Sequence, residues 1–277
     1  MIKYWFDYST VIVTGASSGL GRDITMRLVK EHNCRVIGIA RSRDKLENVK
    51  NELGEKAYLF TYKTFDVSLR ENWDKLAEEL DNEGVQIDML INNAGVLPRF
   101  DKFYNYTVED FDKVMQINFY SSIYSMKALM DNILRSGKAA IVNVSSAAAL
   151  CSFAGTGVYS ASKAALKSFT DAVREEHRGD MYVGLICPGF TKTDIFRSQK
   201  KSDKASQKMM DMVSTDCDKM VDMIMNGILK KKEDMVFGMD AHLMNIGYKS
   251  LGTLCCNLSS KVMKLSGLEI FKDVFSK

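Results

Sequence analysis

Proline is nearly missing from this chain: 277 residues contain two, Pro98 and Pro188. No Gly/Ser-rich, low-complexity or repeated stretch occurs either, so nothing reads as a linker between domains. Histidine is equally scarce, at three. The cysteines Cys34, Cys151, Cys187, Cys217, Cys255 and Cys256 show no C-x-x-C spacing. A Cys/His metal site and a disulfide framework are therefore not expected, and the thiols read as reduced core residues. No apolar run is long enough to span a bilayer, and Met1 to Asp7 is too short and too soon charged for a signal peptide. A cytoplasmic protein is expected. The net charge of +3 is too small to indicate nucleic acid as a partner.

What the chain does have is alternation. Ser9 to Thr14 is a strand-like run, followed by Gly15-Ala16-Ser17-Ser18-Gly19-Leu20-Gly21 and an amphipathic helix from about Arg22 to Glu31. A helix that starts at a glycine turn offers free N–H groups and a positive dipole end to a phosphate. Further strands are predicted at Cys34 to Ala40, Tyr58 to Thr64, Ile87 to Ile91, Ile141 to Val144, Tyr182 to Cys187 and Met235 to Phe237. Helical segments separate them, notably Leu69 to Glu83 and Asp110 to Leu134, the second interrupted by a polar Asn118. Such alternation predicts an α/β fold, a Rossmann-type doubly wound parallel sheet with helices on both faces. Residues 1–237 form this domain and 238–277 a C-terminal helical extension.

The second strand ends in Ala40-Arg41-Ser42-Arg43. At that place in a dinucleotide fold an acidic residue binds ribose hydroxyls, whereas an arginine accommodates a 2′-phosphate. Arg41 thus favours NADP(H), with NAD(H) as the lesser option; two solvated arginines opening a helix are the plainer account. Asp66-Val67 follows the third strand, where a carboxylate can meet an adenine amino group or cap the next helix.

Chemistry is expected in Ile141 to Lys163. A buried strand ends in Ser145 and Ser146, and Tyr159 and Lys163, four apart, share a helix face. An ammonium beside a phenol favours the phenolate, making tyrosine a usable acid or base. A strand-end serine would hold a substrate oxygen beside it.

With these pieces in order the sequence resembles the short-chain dehydrogenase/reductase family over about residues 8 to 237. The resemblance implies a catalytic tetrad of Asn118, Ser146, Tyr159 and Lys163. Ser146 is preferred to Ser145 because it stands thirteen residues before the tyrosine. The implied cofactor contacts are Gly15, Ser17, Ser18, Gly19, Leu20, Gly21, Arg41, Asp66, Val67, Asn93, Ala94, Gly95, Tyr159, Lys163, Pro188, Gly189, Thr191 and Thr193. Asn92-Asn93-Ala94-Gly95 would be the sheet-stabilising turn, and Asn118 would support a proton-relay water. Two departures stand out: Ser18 sits where NADP(H)-preferring members often carry a basic residue, and Ala149 where a glycine is frequent. A homo-oligomer, dimer or tetramer, is also implied, paired through the helices carrying Asn118 and Tyr159.

Beyond Ile195 the chain becomes particular to itself. The family's substrate lid would fall at about 194–215, where Arg197 to Lys208 holds five basic residues and one acidic. Eleven of the seventeen methionines follow residue 180, pointing to a large apolar substrate, steroid- or lipid-like, or simply to core filling. Ala241 to Tyr248 and Leu258 to Phe275 are predicted helices. They would cap the substrate pocket, pack between subunits or lie on a membrane; the mildly basic tail ranks the membrane last. The expected activity is NADP(H)-dependent interconversion of a ketone and a secondary alcohol. Alternatives are reduction of a 3-oxoacyl thioester, or a catalytically idle member that binds cofactor and partners.

Overall fold

Seven short runs, most of them rich in Val, Ile and Leu, assemble into one sheet in the computed structural model, which describes residues 4–193, 195 and 214–276. The strands are β1 (Thr10–Thr14), β2 (Arg35–Ala40), β3 (Phe60–Thr64), β4 (Met89–Asn92), β5 (Ala140–Val144), β6 (Tyr182–Pro188) and β7 (Asp234–Phe237). Their order is β3-β2-β1-β4-β5-β6-β7, and every neighbouring pair is parallel. Parallel strands need crossovers, supplied here by α1 (Gly19–His32), α2 (Arg43–Glu52), α3 (Arg70–Asn82), α4 (Val108–Met115), α5 (Ser121–Leu134), α6 (Gly157–Glu176) and α7 (Cys217–Leu229). Helices on both faces explain why β4, β5 and β6 are buried at every position and read as continuous apolar runs rather than alternating ones.

One face packs Ile24 and Leu28 of α1 with Met220 and Ile224 of α7. The other packs Trp73 of α3 with Met126, Leu129 and Ile133 of α5. Burying each such side chain contributes roughly 1.5–3 kcal/mol. Between β4, β5 and the helices over them, polar side chains pair with one another. Asn92 Nδ2 donates to Asn143 Oδ1 (2.9 Å), Asn143 Nδ2 to Thr170 Oγ1 (2.9 Å), and Ser125 Oγ to Asn92 Oδ1 (2.7 Å). This network ties β4 and β5 to α5 and α6, where an unpaired amide would cost a few kcal/mol.

The helix expected from Asp110 to Leu134 is interrupted. Residues Gln116–Tyr120 form a π turn between α4 and α5, and Asn118 lies inside it. The extra residue turns the Asn118 amide inward, where Nδ2 donates to Val96 O (3.0 Å) and Oδ1 accepts from Val96 N (2.8 Å). The tail differs too. The helix expected over Leu258 to Phe275 starts earlier, as α9 (Thr253–Ser266) after α8 (Met239–Leu251), and ends at Gly267, whose φ of 63° is left-handed. A 3₁₀ turn over Glu269–Phe271 and a short helical turn over Lys272–Phe275 follow. Pro188, expected just past β6, is its last residue. The cysteines split: Cys34, Cys151 and Cys187 are buried, while Cys217, Cys255 and Cys256 are partly exposed, the last two 3.6 and 3.8 Å from Cys151 Sγ. Apart from Ile195, Ser214 and Thr215, the expected lid lies outside the described residues.

Candidate active site

The strand order reverses direction between β1 and β4, so their carboxyl ends part and leave a crevice. A cavity of about 310 Å³ fills it. One end is the glycine turn, with Gly15, Ser18, Gly19 and Leu20; beside it stand Asn93, Ala94 and Gly95. Ser145, Ser146, Tyr159 and Lys163 line the middle, and Pro188, Gly189, Thr191 and Thr193 the far edge.

Hydrogen bonds hold the glycine turn in place. Thr14 Oγ1 accepts from the N–H groups of Asn93 and Ala94 (both 2.9 Å), and Asn93 Nδ2 donates to Thr14 O (2.9 Å). Gly21 must be glycine here: a Cβ would stand 2.4 Å from Asn93 Nδ2 and 2.5 Å from Gly15 O. Helix α1 starts with no side-chain cap at Ser18 and no acidic residue in its first turn. Its free amide donors and positive end are therefore left for an anion, which fits a dinucleotide phosphate.

Tyr159 and Lys163 project from α6 into the crevice, both buried. Burial pushes the Tyr159 phenol above its ordinary value, while a hydrogen bond with the Ser146 side chain pulls it back. Burial drives the Lys163 ammonium down to about 8, and its Nζ donates to Val144 O (2.9 Å). The ammonium is thus engaged by the strand carbonyl, and burial is the largest influence on the phenol. The serines also separate. Ser145 Oγ donates to Lys163 O (2.8 Å), fastening α6 to β5, whereas Ser146 faces Tyr159 and accepts from Ala148 N (3.2 Å).

Not every expected residue reaches the cavity. Asn118 stands behind Gly95, where its Oδ1 would lie 3.3 Å from a Cβ, as would Lys163 Nζ. Its amide is engaged by Val96 and by Ser162 Oγ (3.0 Å). Ser17, Gly21, Asp66 and Val67 are also off the cavity wall, and Arg41 lines a neighbouring hollow with Gly95 and Ile195. Asp66 does not cap α3, whose N-cap is Leu69. It folds back on Ser68, accepting from its N (2.9 Å) and Oγ (2.6 Å). Burial alone would raise the Asp66 carboxyl, but these bonds and the Arg41 charge hold it below its ordinary range. Arg41 and Asp66 therefore meet at the ends of β2 and β3, on the same sheet edge as the glycine turn.

Sequence reasoning missed the apolar wall. Leu97, Phe100, Phe153 and Phe190 line the cavity together with Met244 of α8. The extension supports this wall from behind, with Leu268, Phe271 and Val274 packed against Phe100 and Phe153. It missed Asp240 as well. This carboxylate accepts from Phe190 N (2.7 Å) through Oδ2, while buried Oδ1 has no hydrogen-bond partner among the described residues. A Cβ on Gly189 would lie 2.1 Å from that Oδ1, so the glycine admits the carboxylate. No motif marks Asp240; only its place just after β7 could have drawn notice.

The family model for short chain dehydrogenases matches residues 9–204. The chain belongs to the short-chain dehydrogenase/reductase family. It is accordingly an oxidoreductase of the NAD(P)-dependent kind that acts between CH–OH and C=O. It is 34% identical over 215 residues to an Arabidopsis thaliana 11-beta-hydroxysteroid dehydrogenase-like 2, covering 76% of this chain and 68% of that one. It is 29% identical over 210 residues to the Escherichia coli NADP-dependent 3-hydroxy acid dehydrogenase YdfG, covering 74% and 82%. A Burkholderia phymatum short chain dehydrogenase/reductase solved with NAD shares the fold: TM-score 0.77, 20% identity, 94% of this chain and 97% of that one. Among the described residues no helix is long and apolar enough to cross a membrane.

Proposed function

We propose that this enzyme reduces a ketone on a hydrophobic small molecule to a secondary alcohol, with NADP(H) as the preferred cofactor and NAD(H) as the lesser one. The observation that carries the proposal is the joining, in one crevice, of an uncapped glycine-turn helix, a Ser146–Tyr159 pair beside Lys163, and an apolar wall.

The nicotinamide cofactor, when bound, supplies the hydride. Gly15 to Gly21 and the start of α1 would hold its phosphates, Asp66 and Val67 its adenine, and Arg41 a 2′-phosphate. Asn93 to Gly95, Pro188, Gly189, Thr191 and Thr193 would border the nicotinamide half. Ser146 Oγ orients the substrate oxygen. Tyr159 then gives its phenolic proton to that oxygen as charge develops there. A phenol raised by burial stays protonated at neutral pH, which suits it to act as the acid in reduction. Lys163, on the cavity wall, supports the phenolate left behind and would hold the nicotinamide ribose. Asn118 acts as a positioning residue that holds Val96 and the turn beside Lys163.

NADP is the cofactor named for YdfG and for a serine dehydrogenase structure 25% identical to this chain at a TM-score of 0.69, covering 78% of this chain and 87% of that one. Arg41 beside Asp66 supports carrying that preference over. The aromatic wall favours a steroid- or lipid-like substrate over a small hydroxy acid. Pairing of subunits through the α4–α5 and α6 faces is part of the same proposal. The test is NADPH oxidation against a panel of free steroid and aliphatic ketones and of 3-oxoacyl thioesters. Turnover of the free ketones supports the proposal, turnover of thioesters alone moves it to acyl reduction, and turnover of nothing overturns it.

A further inference from the structure

The extension is amphipathic the wrong way round for a helix pair in water. On α9 the side chains turned toward the protein are small or polar, Cys255, Cys256, Ser259 and Ser260, with Met263 among them. Ser260 Oγ accepts from Ala154 N (3.2 Å), and Cys255 comes so close to α8 that a Cβ on Gly247 would meet its Sγ at 2.7 Å. The large apolar side chains point outward instead. Leu254, Leu258, Val262 and Leu265 share one face of α9, the last two exposed to 61% and 85%. On α8, Leu243 and Ile246 are exposed to 66% and 61%. Single exposed leucines are ordinary, but two adjacent helices with their apolar rows facing out mark a contact surface.

Charge says what meets it. From Ala241 to Leu268 the chain carries three lysines, Lys249, Lys261 and Lys264, all exposed, and no carboxylate. A second copy of the same face would bring these cations toward one another, because a two-fold contact repeats the same patch on both sides. An anionic lipid surface complements both the charge and the apolar row.

We propose that α8 and α9 dock the protein on the surface of an anionic bilayer, lying in the interface. Met244 of α8 lines the cavity, so docking brings the apolar wall of the site up to the lipid. The idea that substrate arrives from the bilayer rests on the function proposed above; docking itself does not. The ranking made from net charge alone, which put the membrane last, is reversed by the direction the side chains face.

Co-sedimentation of the full chain with phosphatidylcholine vesicles, with and without phosphatidylserine, tests this without cofactor or turnover, so its outcome is separate from that of the enzymatic proposal. Binding is expected only with phosphatidylserine and weakens as salt rises. Lys261→Gln with Lys264→Gln should weaken it about 30-fold, on about 1 kcal/mol per lysine. Leu258→Glu should weaken it at least about tenfold, with NADPH binding and the thermal midpoint unchanged as the check on folding. The proposal is overturned by absence of vesicle binding, by binding indifferent to both substitutions, or by a lipid-free dimer that Leu258→Glu dissolves.

Discussion

The crevice and the extension solve opposite problems. Around the crevice, glycine and small residues let backbones close to within hydrogen-bonding distance, and polar atoms such as those of Thr14, Asn93, Asn118 and Lys163 are paired. In the extension, Leu268 to Val274 enter a core with Met244 and Met263 packed against it, while the leucines and Ile246 of α8 and α9 face outward. The crevice is built to hold a small molecule and the extension to meet a surface. Asp240 and Met244 are where one region reaches into the other.

The largest effect expected is at the centre of the crevice. Tyr159→Phe should lower turnover by roughly 10²–10⁴-fold, the usual worth of a positioned proton donor, while NADPH affinity by fluorescence titration stays nearly unchanged. Full retained turnover would remove the proposed chemistry and with it the contrast between the regions. Arg41→Ala should weaken NADPH binding by roughly tenfold or more through loss of a charge-assisted contact, leaving NADH little affected. An equal loss for both cofactors would refute the 2′-phosphate assignment.

Gly21→Ala tests the closeness of packing. A Cβ there meets Asn93 Nδ2 and Gly15 O, so stability should fall by about 2 kcal/mol, read as the denaturant midpoint. A substitution as mild at exposed Leu258 should leave that midpoint in place.

Asp240 joins the two regions, and its removal should be felt in both. Asp240→Ala leaves Phe190 N–H without its acceptor, costing about 1–3 kcal/mol, and should raise the KM for NADPH by loosening the Gly189–Phe190 edge. Asp240→Asn keeps an acceptor. Burial raises the Asp240 pKa, so the native state holds this proton more tightly than the unfolded chain, and the stability it contributes at low pH is lost as pH rises through the folded value. Asp240→Asn should then match the parent at low pH and be slightly more stable at neutral pH; a neutral-pH loss as large as that of alanine would contradict this.

The smallest effect is a pH limb. Lys163 titrates at about 8, so reduction should slow as pH rises through that value and the ammonium loses its charge. Lys163→Arg, charged throughout, should lack the limb in a pH–rate profile.

Much of the crevice was legible because its demands are local. A glycine turn must follow β1 directly, Tyr159 and Lys163 must be four apart to share a face, and the strands must be apolar to lie between two helical layers. What escaped were relations between distant segments. The π turn that aims Asn118 is set by its partner Val96, 22 residues away, and no local pattern announces it. The Tyr159 phenol depends on burial, and its pairing with Ser146 on how α6 lies against β5. Spacing alone gave Lys163 a role as its neighbour without showing that Val144 O engages the ammonium.

The order of residues by itself determined the α/β alternation, the parallel sheet, the glycine turn and the serine–tyrosine–lysine stretch, because each follows from periodicity or from contacts within a few residues. Tertiary structure alone decided that Asp240 reaches Phe190, that the extension walls the cavity, and that its leucines face outward. Amphipathicity shows that a helix has two faces; which face is buried depends on what the rest of the chain brings against it.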